Sequence, residues 1–352
     1  MKIYRNLFND IISPENLFSA WDKFKKGKRD RKDVQLFEWN LETNIFNLYR
    51  ELSGKTYKHG LYHSFKISDP KPRNVQKAQV RDRIVHHALF QVINPLFEAG
   101  FVPASFSCRV GHGTHKGVQF LQNTIRKASK NGKVPCFALK CDIKKFFDTI
   151  DHDILLSILK KKVKDNSTIC LLGEIISSFS SGYPILGKDR GVPIGNLTSQ
   201  LFANVYLNEL DQFLKQELKV GYYLRYTDDF LIISQDKRYL ERMIPEIVSF
   251  LRVKLFLEIH KEKTKILKIN QGIDFLGYVV FLRHKLVRTR TRKRIVRKFQ
   301  GRIADCRRGF ISKNSLSQSL HSYLGFFSHA SSFNISENLK RQFFSFCDEW
   351  LC

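Results

Sequence analysis

The feature that most constrains this chain is a pair of adjacent aspartates, Asp228 and Asp229, between two short apolar runs. The runs, residues 222–227 and 230–234, are rich in aromatic and β-branched side chains, which favour strands. Two strands separated by only two residues predict a β-hairpin with both acids at its tip. Turn formation does not require two acids there, so the tip is a candidate functional site.

A third carboxylate follows another predicted strand. Apolar residues alternate with polar or small ones over residues 137–142, and the run ends at Asp142 before the spacing becomes helical. Three carboxylates at strand ends repel one another unless cations lie among their oxygens. Such a set suits two Mg²⁺ ions, and two-metal sites carry out in-line phosphoryl transfer. The alternative, a solvated turn, is the commoner explanation for an Asp-Asp pair by itself.

Around these strands the pattern is mostly helical, which predicts an α+β fold. One predicted helix begins at Ser13-Pro14, and three others cover residues 36–52, 82–97 and 196–213. Residues 57–67 are predicted to form an extended pair around Gly60. Residues 101–120 are predicted to be a connecting region after the helix over 82–97. In the helix over 196–213 a polar stripe is predicted from Gln200, Asn204, Asn208 and Asp211.

The charge balance points to a polyanionic partner. The chain has 60 Lys and Arg against 33 Asp and Glu, a net charge of +27, with enough apolar residues (43%) to form a core. Residues 283–308 carry twelve Lys and Arg and one Asp, which predicts a basic helical C-terminal domain. No apolar run is long enough for a membrane span, and the seven scattered cysteines suggest reduced thiols, so we expect a cytoplasmic protein without a membrane partner.

Several motifs together carry a family resemblance. Tyr226-Thr227-Asp228-Asp229 resembles the Y-x-D-D box of reverse transcriptases, and Asp142-x-x-x-Phe146-Phe147 resembles their first catalytic motif. Phe275-Leu276-Gly277-Tyr278 resembles their primer grip. Three further stretches fit in order: Lys71-Pro72-Arg73, residues 82–85, and Lys263-Thr264 after an apparent strand at 255–259.

The resemblance covers about residues 60–282 and implies the right-hand polymerase fold, with fingers, a palm built on an antiparallel sheet, and a helical thumb. It divides the chain into an N-terminal extension with fingers (1–135), a palm with interspersed fingers elements (136–282) and a basic helical thumb (283–352). The implied activity is RNA-directed DNA synthesis, with dNTPs, template RNA and an RNA/DNA hybrid as partners.

Residues 191–204 resemble one particular group of reverse transcriptases. Most reverse transcriptases carry P-Q-G here, whereas Ile194-Gly195-x-x-x-Ser199-Gln200 resembles the enzymes of diversity-generating retroelements. Those bacterial or phage-encoded enzymes copy a template-repeat RNA while miscopying adenines, and their partner is a basic, oligomeric accessory variability protein. Two alternatives stay open: another bacterial reverse transcriptase, of retron, group II intron or phage-defence type, or a catalytically silent nucleic-acid-binding scaffold.

The resemblance also implies roles for individual residues. Asp142, Asp228 and Asp229, with the main-chain carbonyl of Ile143, would hold two Mg²⁺ ions, for which Mn²⁺ is a substitute. Phe147 would lie under the incoming sugar and select dNTPs, and Lys263 would donate a proton to pyrophosphate. The remaining nucleotide-binding residues would be Arg73 over the triphosphate, with Ile194, Gly195 and Gln200 lining the pocket. The backbone of the template-primer would be held by Arg290, Arg292, Arg294 and Arg297.

A zinc site is a weaker interpretation of Cys108, His112 and His115, because no fourth ligand follows at a usual spacing. We therefore interpret these histidines, and the pair His86-His87, as structural.

Overall fold

A four-stranded antiparallel sheet carries the acidic residues in the computed structural model, which describes residues 2–68, 72–182 and 190–348. Its strands are β3 (Phe137–Asp142), β4 (Tyr222–Tyr226), β5 (Asp229–Ser234) and β6 (Lys265–Lys268). Their order in the sheet is β4-β5-β3-β6, so the predicted hairpin pairs with the strand that ends in the third acid. Residues 230–233 of β5 are all buried, as expected for a strand that is covered on both faces.

Helices around this sheet form the main core. They are α5 (Val80–Glu98), α6 (Thr114–Ala128), α7 (Phe146–Thr149), α8 (His152–Lys162), α9 (Asn166–Ser177), α10 (Leu197–Gln212) and α11 (Lys237–Lys254). Helix α6 packs on β4 and β5, α11 packs on β3, β5 and β6, and α5 packs on α10. The helices predicted over 82–97 and 196–213 are confirmed by α5 and α10 within two residues at each end.

The described residues begin with four helices: α1 (Phe8–Ile12), α2 (Pro14–Lys25), α3 (Lys32–Trp39) and α4 (Leu41–Ser53). The predicted start of α2 is confirmed, since the Ser13 hydroxyl accepts a hydrogen bond from the Asn16 backbone N–H at 3.2 Å. The single helix predicted over 36–52 is wrong. The chain breaks at Asn40, where the Asn44 side chain donates to the carbonyl of Phe37 and replaces a helical partner.

A two-stranded hairpin of β1 (His63–Ile67) and β2 (Arg73–Lys77) extends from this region. The extended pair predicted around Gly60 is therefore wrong, because β1 pairs with β2 and not with the residues before Gly60. Helix α6 begins at Thr114, so the connection predicted over 101–120 is shorter than expected. The strand predicted at 255–259 is also wrong: Phe256 has a φ of +50°, and only Ile259 bridges to Ile143.

A three-stranded sheet and three helices follow, up to the last described residue, 348. The strands are β7 (Ile273–Phe275), β8 (Tyr278–Val280) and β9 (Lys285–Val287), and α6 packs on β8. Helices α12 (Thr289–Arg307), α13 (Lys313–Phe327) and α14 (Phe333–Asp348) pack on one another, so the helical pattern predicted there is present from residue 289 onward; the division into domains stays a prediction. None of the helices in the described residues combines the length and apolar character needed to cross a bilayer. The α+β prediction is confirmed.

Candidate active site

The sheet brings the three predicted acids to one edge. Asp142, the last residue of β3, and Asp229, the first residue of β5, lie directly opposite each other in the antiparallel register. Tyr226 pairs with Asp229, so Thr227 and Asp228 form the two-residue turn. The hairpin prediction is confirmed with its turn one residue earlier than expected, because Asp229 belongs to the strand.

Backbone hydrogen bonds fix the neighbours of these acids. The N–H of Ile143 donates to the carbonyl oxygen of Asp228 at 3.2 Å, which places residue 143 beside the turn. The N–H of His260 donates to the carbonyl of Asp142 at 2.7 Å. The four predicted metal ligands, Asp142, Ile143, Asp228 and Asp229, therefore lie together.

Each carboxylate of the site makes ionisation of its neighbours less favourable. Burial raises the pKa of Asp229 to about 6; Lys140 opposes this shift, and the nearby Asp142 adds to it. Burial, followed by repulsion from Asp142, also raises the pKa of Asp228. One oxygen of Asp229, Oδ1, is buried without a hydrogen-bond partner. A hard cation would compensate both the repulsion and this orphaned oxygen, so the donor set fits Mg²⁺.

Two lysines neutralise part of this charge. The Nζ of Lys263 lies 2.5 Å from Asp142 Oδ2, and the Nζ of Lys140 lies 3.4 Å from Asp229 Oδ2. Lys140 also donates to the carbonyl of Asp274 at 2.7 Å. As positioned here, no group of three or more His, Cys, Asp or Glu side chains in the described parts of the chain is arranged to hold a metal ion, so the fit to Mg²⁺ lies in the chemistry of these oxygens and not in preformed geometry.

Arg73 stands at the start of β2 with its side chain exposed, and its positive charge lowers the pKa of Asp228, against the effect of burial. The role of Arg73 over a triphosphate stays a prediction. Its motif neighbour Lys71 lies outside the described residues.

The segment before α10 is tied to β2. The N–H of Gln76 donates to the carbonyl of Ile194 at 3.1 Å, and the Asn196 amide donates to the carbonyl of Gln76 at 3.3 Å. Gly195 between them has a φ of +112°, and a Cβ there would lie 2.8 Å from Val75 Cγ1. Both facts require glycine at this position.

Gly195 and Gln200 line one cavity of about 300 Å³, together with Lys28, Arg83 and His86. Phe147 is half-buried on α7, and its ring packs edge-on against Phe146 at 5.4 Å. The backbone N–H of Val192 donates to the carbonyl of Phe147 at 2.8 Å, which connects Phe147 to the segment that leads to Ile194.

The predicted primer grip is the β7–β8 hairpin. Leu276 and Gly277 form its turn, with φ values of +50° and +89°. Phe275 and Tyr278 have no exposed surface, so the prediction that they contact a primer needs correction. Tyr278 instead packs on Phe326 at 4.9 Å and donates to its carbonyl, and only the turn is available to a ligand.

Three of the four predicted arginines share a face of α12. Arg290, Arg294 and Arg297 line a cavity of about 1080 Å³ that also includes Leu276 and Gly277. Arg292 lines a different cavity, beside α14. Positions 290, 294 and 297 share a face of α12 through i, i+4, i+7 spacing, whereas position 292 lies outside this spacing; binding of nucleic acid by all four arginines stays a prediction.

Two functional candidates escaped the sequence-based prediction. Lys140 was one of many lysines, although its place two residues before Asp142 on the same strand puts it on the same side of the sheet. Arg225 was hidden in an apolar run, yet it is fully buried and paired with Asp211. Asp211 and Asn204 are buried too, so the predicted polar stripe of α10 faces the interior at these positions. Among the histidines considered for zinc, His115 stacks on His329 at 3.6 Å.

A family model described as Reverse transcriptase (RNA-dependent DNA polymerase) matches residues 66–280. The match covers more than half of the chain and includes all three acids of the site. The chain belongs to the reverse transcriptase family, and its right-hand polymerase fold is confirmed.

Relatives of the chain include Protein YkfC of Escherichia coli, 27% identical over 262 residues, which cover 64% of this chain and 66% of YkfC. Group II intron-encoded protein LtrA of Lactococcus lactis is 23% identical over 350 residues, covering 80% of this chain and 57% of LtrA. The chain thus spans between about half and two thirds of these relatives. Among solved structures, apo telomerase from Candida tropicalis has a TM-score of 0.48 and 14% identity, covering 66% of this chain and 55% of that chain.

Proposed function

We propose that this protein is an RNA-directed DNA polymerase that works by two-metal nucleotidyl transfer. The observation that carries the proposal is the pairing of Asp142 with Asp229 across β3 and β5, with Asp228 in the adjoining turn. Membership of the reverse transcriptase family supports the same reaction class.

Mg²⁺, held by Asp142, Asp228, Asp229 and the Ile143 carbonyl, would supply activation of the primer 3′-hydroxyl and charge stabilisation at the leaving pyrophosphate. Arg73 would bind the triphosphate, because a planar guanidinium matches phosphate oxygens. It is exposed, and its positive charge opposes the rise that burial causes in the pKa of Asp228.

Phe147 and Lys263 would act on the sugar and on the leaving group. Phe147 is half-buried, so one part of its ring is fixed by packing and another can contact an incoming sugar and exclude a 2′-hydroxyl. Lys263 is exposed, and its ammonium is already at the site through Asp142. An ammonium in that place can release a proton to pyrophosphate.

The nucleic acid would follow the cavity between the β7–β8 turn and α12. Arg290, Arg294 and Arg297 supply positive charge there, and Leu276 and Gly277 supply a backbone turn for the primer. This arrangement supports binding through phosphate contacts.

We further propose that the template is the repeat RNA of a diversity-generating retroelement. The Ile194-Gly195-x-x-x-Ser199-Gln200 motif supports this, and it would add a basic, oligomeric accessory variability protein as partner. A net charge of +27 disfavours direct attraction between two basic proteins, so an acidic patch or shared RNA would join them. The likeness to LtrA over 80% of this chain favours a second candidate, a reverse transcriptase of group II intron type.

Primer extension on an RNA template tests the polymerase. Wild-type protein with Mg²⁺ and dNTPs should extend the primer, while Asp228→Asn and Asp142→Asn should abolish extension and retain RNA binding. Glu246→Gln, an exposed acid on α11, is the matched control and should behave as wild type. Extension by either site variant at a near wild-type rate would contradict the site.

Deep sequencing of cDNA from a template of mixed bases tests the retroelement proposal. Errors should concentrate opposite template adenine. Equal error rates at all four bases would favour the group II intron type. Ribonuclease treatment of a complex with the accessory protein separates RNA-mediated from direct contact.

A further inference from the structure

The turn that carries Asp228 has an unfavourable backbone. Thr227, at its first position, has a φ of +54°. Two-residue hairpin turns require positive φ there, and glycine, asparagine or aspartate normally supplies it. A β-branched residue adopts this conformation only when surrounding contacts hold it.

Two side chains supply such contacts. The Thr227 hydroxyl donates to Ser107 Oγ at 2.6 Å, and Arg225 Nη1 donates to the carbonyl oxygen of Thr227 at 3.1 Å. Ser107 is 3% exposed and Arg225 is fully buried, so both contacts come from the rigid interior.

Arg225 is itself fixed by a buried carboxylate. Its Nε and Nη2 donate to the two oxygens of Asp211 at 2.7 and 2.6 Å, and neither side chain is exposed. The Tyr223 hydroxyl donates to the same carboxylate at 2.6 Å.

The contacts close into a network through Asn204. Its amide donates to the carbonyl of Ser107 at 2.9 Å, and its Oδ1 lies 3.5 Å from Arg225 Nη1. The backbone of residue 225 also pairs with the segment before Ser107, through hydrogen bonds of 2.9 Å with Ala104 and Phe106. The segment over residues 104–107 is therefore attached to β4 next to the turn.

Packing alone does not explain this network. A buried ion pair adds little net stability compared with apolar residues of the same size. What the Arg225–Asp211 pair supplies beyond packing is an N–H donor directed at the turn. We propose that Arg225, held by Asp211, and Ser107 are positioning residues that hold the Thr227–Asp228 turn, and with it the Asp228 carboxylate, next to Asp142. This inference rests on the proposed polymerase function for its catalytic consequence, but not for its structural one.

Removal of single hydroxyls tests the inference with little risk to folding. Ser107→Ala and Thr227→Val each delete the hydrogen bond between the two side chains. Thr124→Val is the matched control, since Thr124 is a buried threonine whose hydroxyl donates to Phe120 at 2.8 Å, within α6. Asp211→Asn, which weakens the hold on Arg225, is the stronger variant.

The first readout is hydrogen–deuterium exchange of the peptide over residues 222–231 in the metal-free full chain. Ser107→Ala should accelerate exchange at the turn by roughly 2- to 12-fold, the effect of one hydrogen bond, with the rest of the molecule unchanged. Unchanged exchange at the turn, or acceleration spread over the whole chain, would overturn the inference.

The second readout is the Mg²⁺ concentration for half-maximal primer extension. It should rise in Ser107→Ala and Thr227→Val and stay at the wild-type value in Thr124→Val. Thr227→Gly, which tolerates the positive φ, should suppress most of the effect of Ser107→Ala in a double variant. If Ser107→Ala raises the half-maximal Mg²⁺ concentration by the same factor in the Thr227→Gly protein as in the wild type, the proposed role of Ser107 is contradicted.

The two proposals fail separately. If the wild type extends no primer with Mg²⁺ or Mn²⁺, the polymerase proposal is wrong and the exchange measurement still decides the positioning. If Asp228→Asn is inactive while Ser107→Ala and Asp211→Asn keep the wild-type Mg²⁺ dependence, the positioning inference is wrong and the polymerase proposal stands.

Discussion

The ammonium of Lys263 lies 2.5 Å from a carboxylate oxygen of Asp142, so a side chain from the short helical turn over Lys261–Lys263 reaches the end of β3. The pair is part of the surface, since the Lys263 side chain is 46% exposed. An exposed pair of this kind adds little stability, and its place beside the acids suggests a role in the reaction.

Lys263→Arg distinguishes a proton donor from a simple counter-charge. Arginine retains the positive charge near Asp142 but does not release its proton in proteins. If Lys263 is a general acid, Lys263→Arg and Lys263→Ala should both lose about 10²- to 10⁴-fold in the rate of single-nucleotide incorporation. Single-turnover kinetics measures this. Full activity in Lys263→Arg would contradict the general-acid role, and Lys261→Arg in the same turn serves as the control.

Asp229→Asn should stabilise the metal-free protein at neutral pH. The pKa of Asp229 is raised to about 6 when folded, so ionisation above that pH opposes folding. Because the folded state binds the proton more tightly, ionisation of Asp229 lowers the free energy of unfolding only slightly near pH 4 and by its full amount above about pH 6. Asp229→Asn should therefore raise the free energy of unfolding by roughly 1 to 3 kcal/mol at pH 7.

Urea denaturation of both proteins in EDTA checks this prediction. A gain that is the same at pH 4 and pH 7 would show that the carboxylate charge is not its cause. Asp236→Asn, at an exposed site, should show no comparable increase between the two pH values.

Arg290→Gln and Arg292→Gln should affect nucleic-acid binding differently, although the two positions are only two residues apart on α12. Arg290 lines the cavity with Leu276, whereas Arg292 lines the cavity beside α14. Loss of one phosphate contact should reduce the slope of log affinity against log salt by about 1 in Arg290→Gln. Fluorescence anisotropy with an RNA/DNA hybrid measures the slope, and equal slopes in the two variants would move the binding path to another face.

If the retroelement proposal holds, Ile194→Gln should lower misincorporation opposite template adenine more than opposite the other bases. Isoleucine offers only shape and van der Waals contact, whereas a glutamine amide adds a hydrogen bond worth roughly 0.5 to 1.5 kcal/mol, or about 2- to 12-fold in selection. The main chain of residue 194 is already fixed by Gln76, so the substitution changes mainly the side chain. Sequencing of cDNA from mixed-base templates compares it with Ile194→Val, which should retain the wild-type error pattern.

The elements with strong local periodicity were predictable from sequence. Strand β3 with its terminal Asp142 and helix α10 follow directly from residue spacing. The break at Asn40 was not predictable in this way, because it depends on a side-chain bond from Asn44 that the apolar spacing does not reveal.

Within the site, motif positions located the acids but not what holds them. Arg225 and Asp211 are fourteen residues apart, in a strand and a helix, and only the tertiary fold shows that they form one buried pair. The same limit applies to the predicted primer grip, where Phe275 and Tyr278 are buried and the turn between them is partly exposed.

The attachment of β2 to residues 194 and 196 has a mechanical consequence. Two hydrogen bonds join Gln76 to that segment, and Arg73 begins the same strand. If the β1–β2 hairpin rotated as a unit, these hydrogen bonds would couple Arg73 to the residues beside Gly195. If Arg73 binds a triphosphate, as proposed above, this movement would change the triphosphate contact and the position of residues 194–196 together, and separating the two effects would require breaking the hydrogen bonds to Gln76.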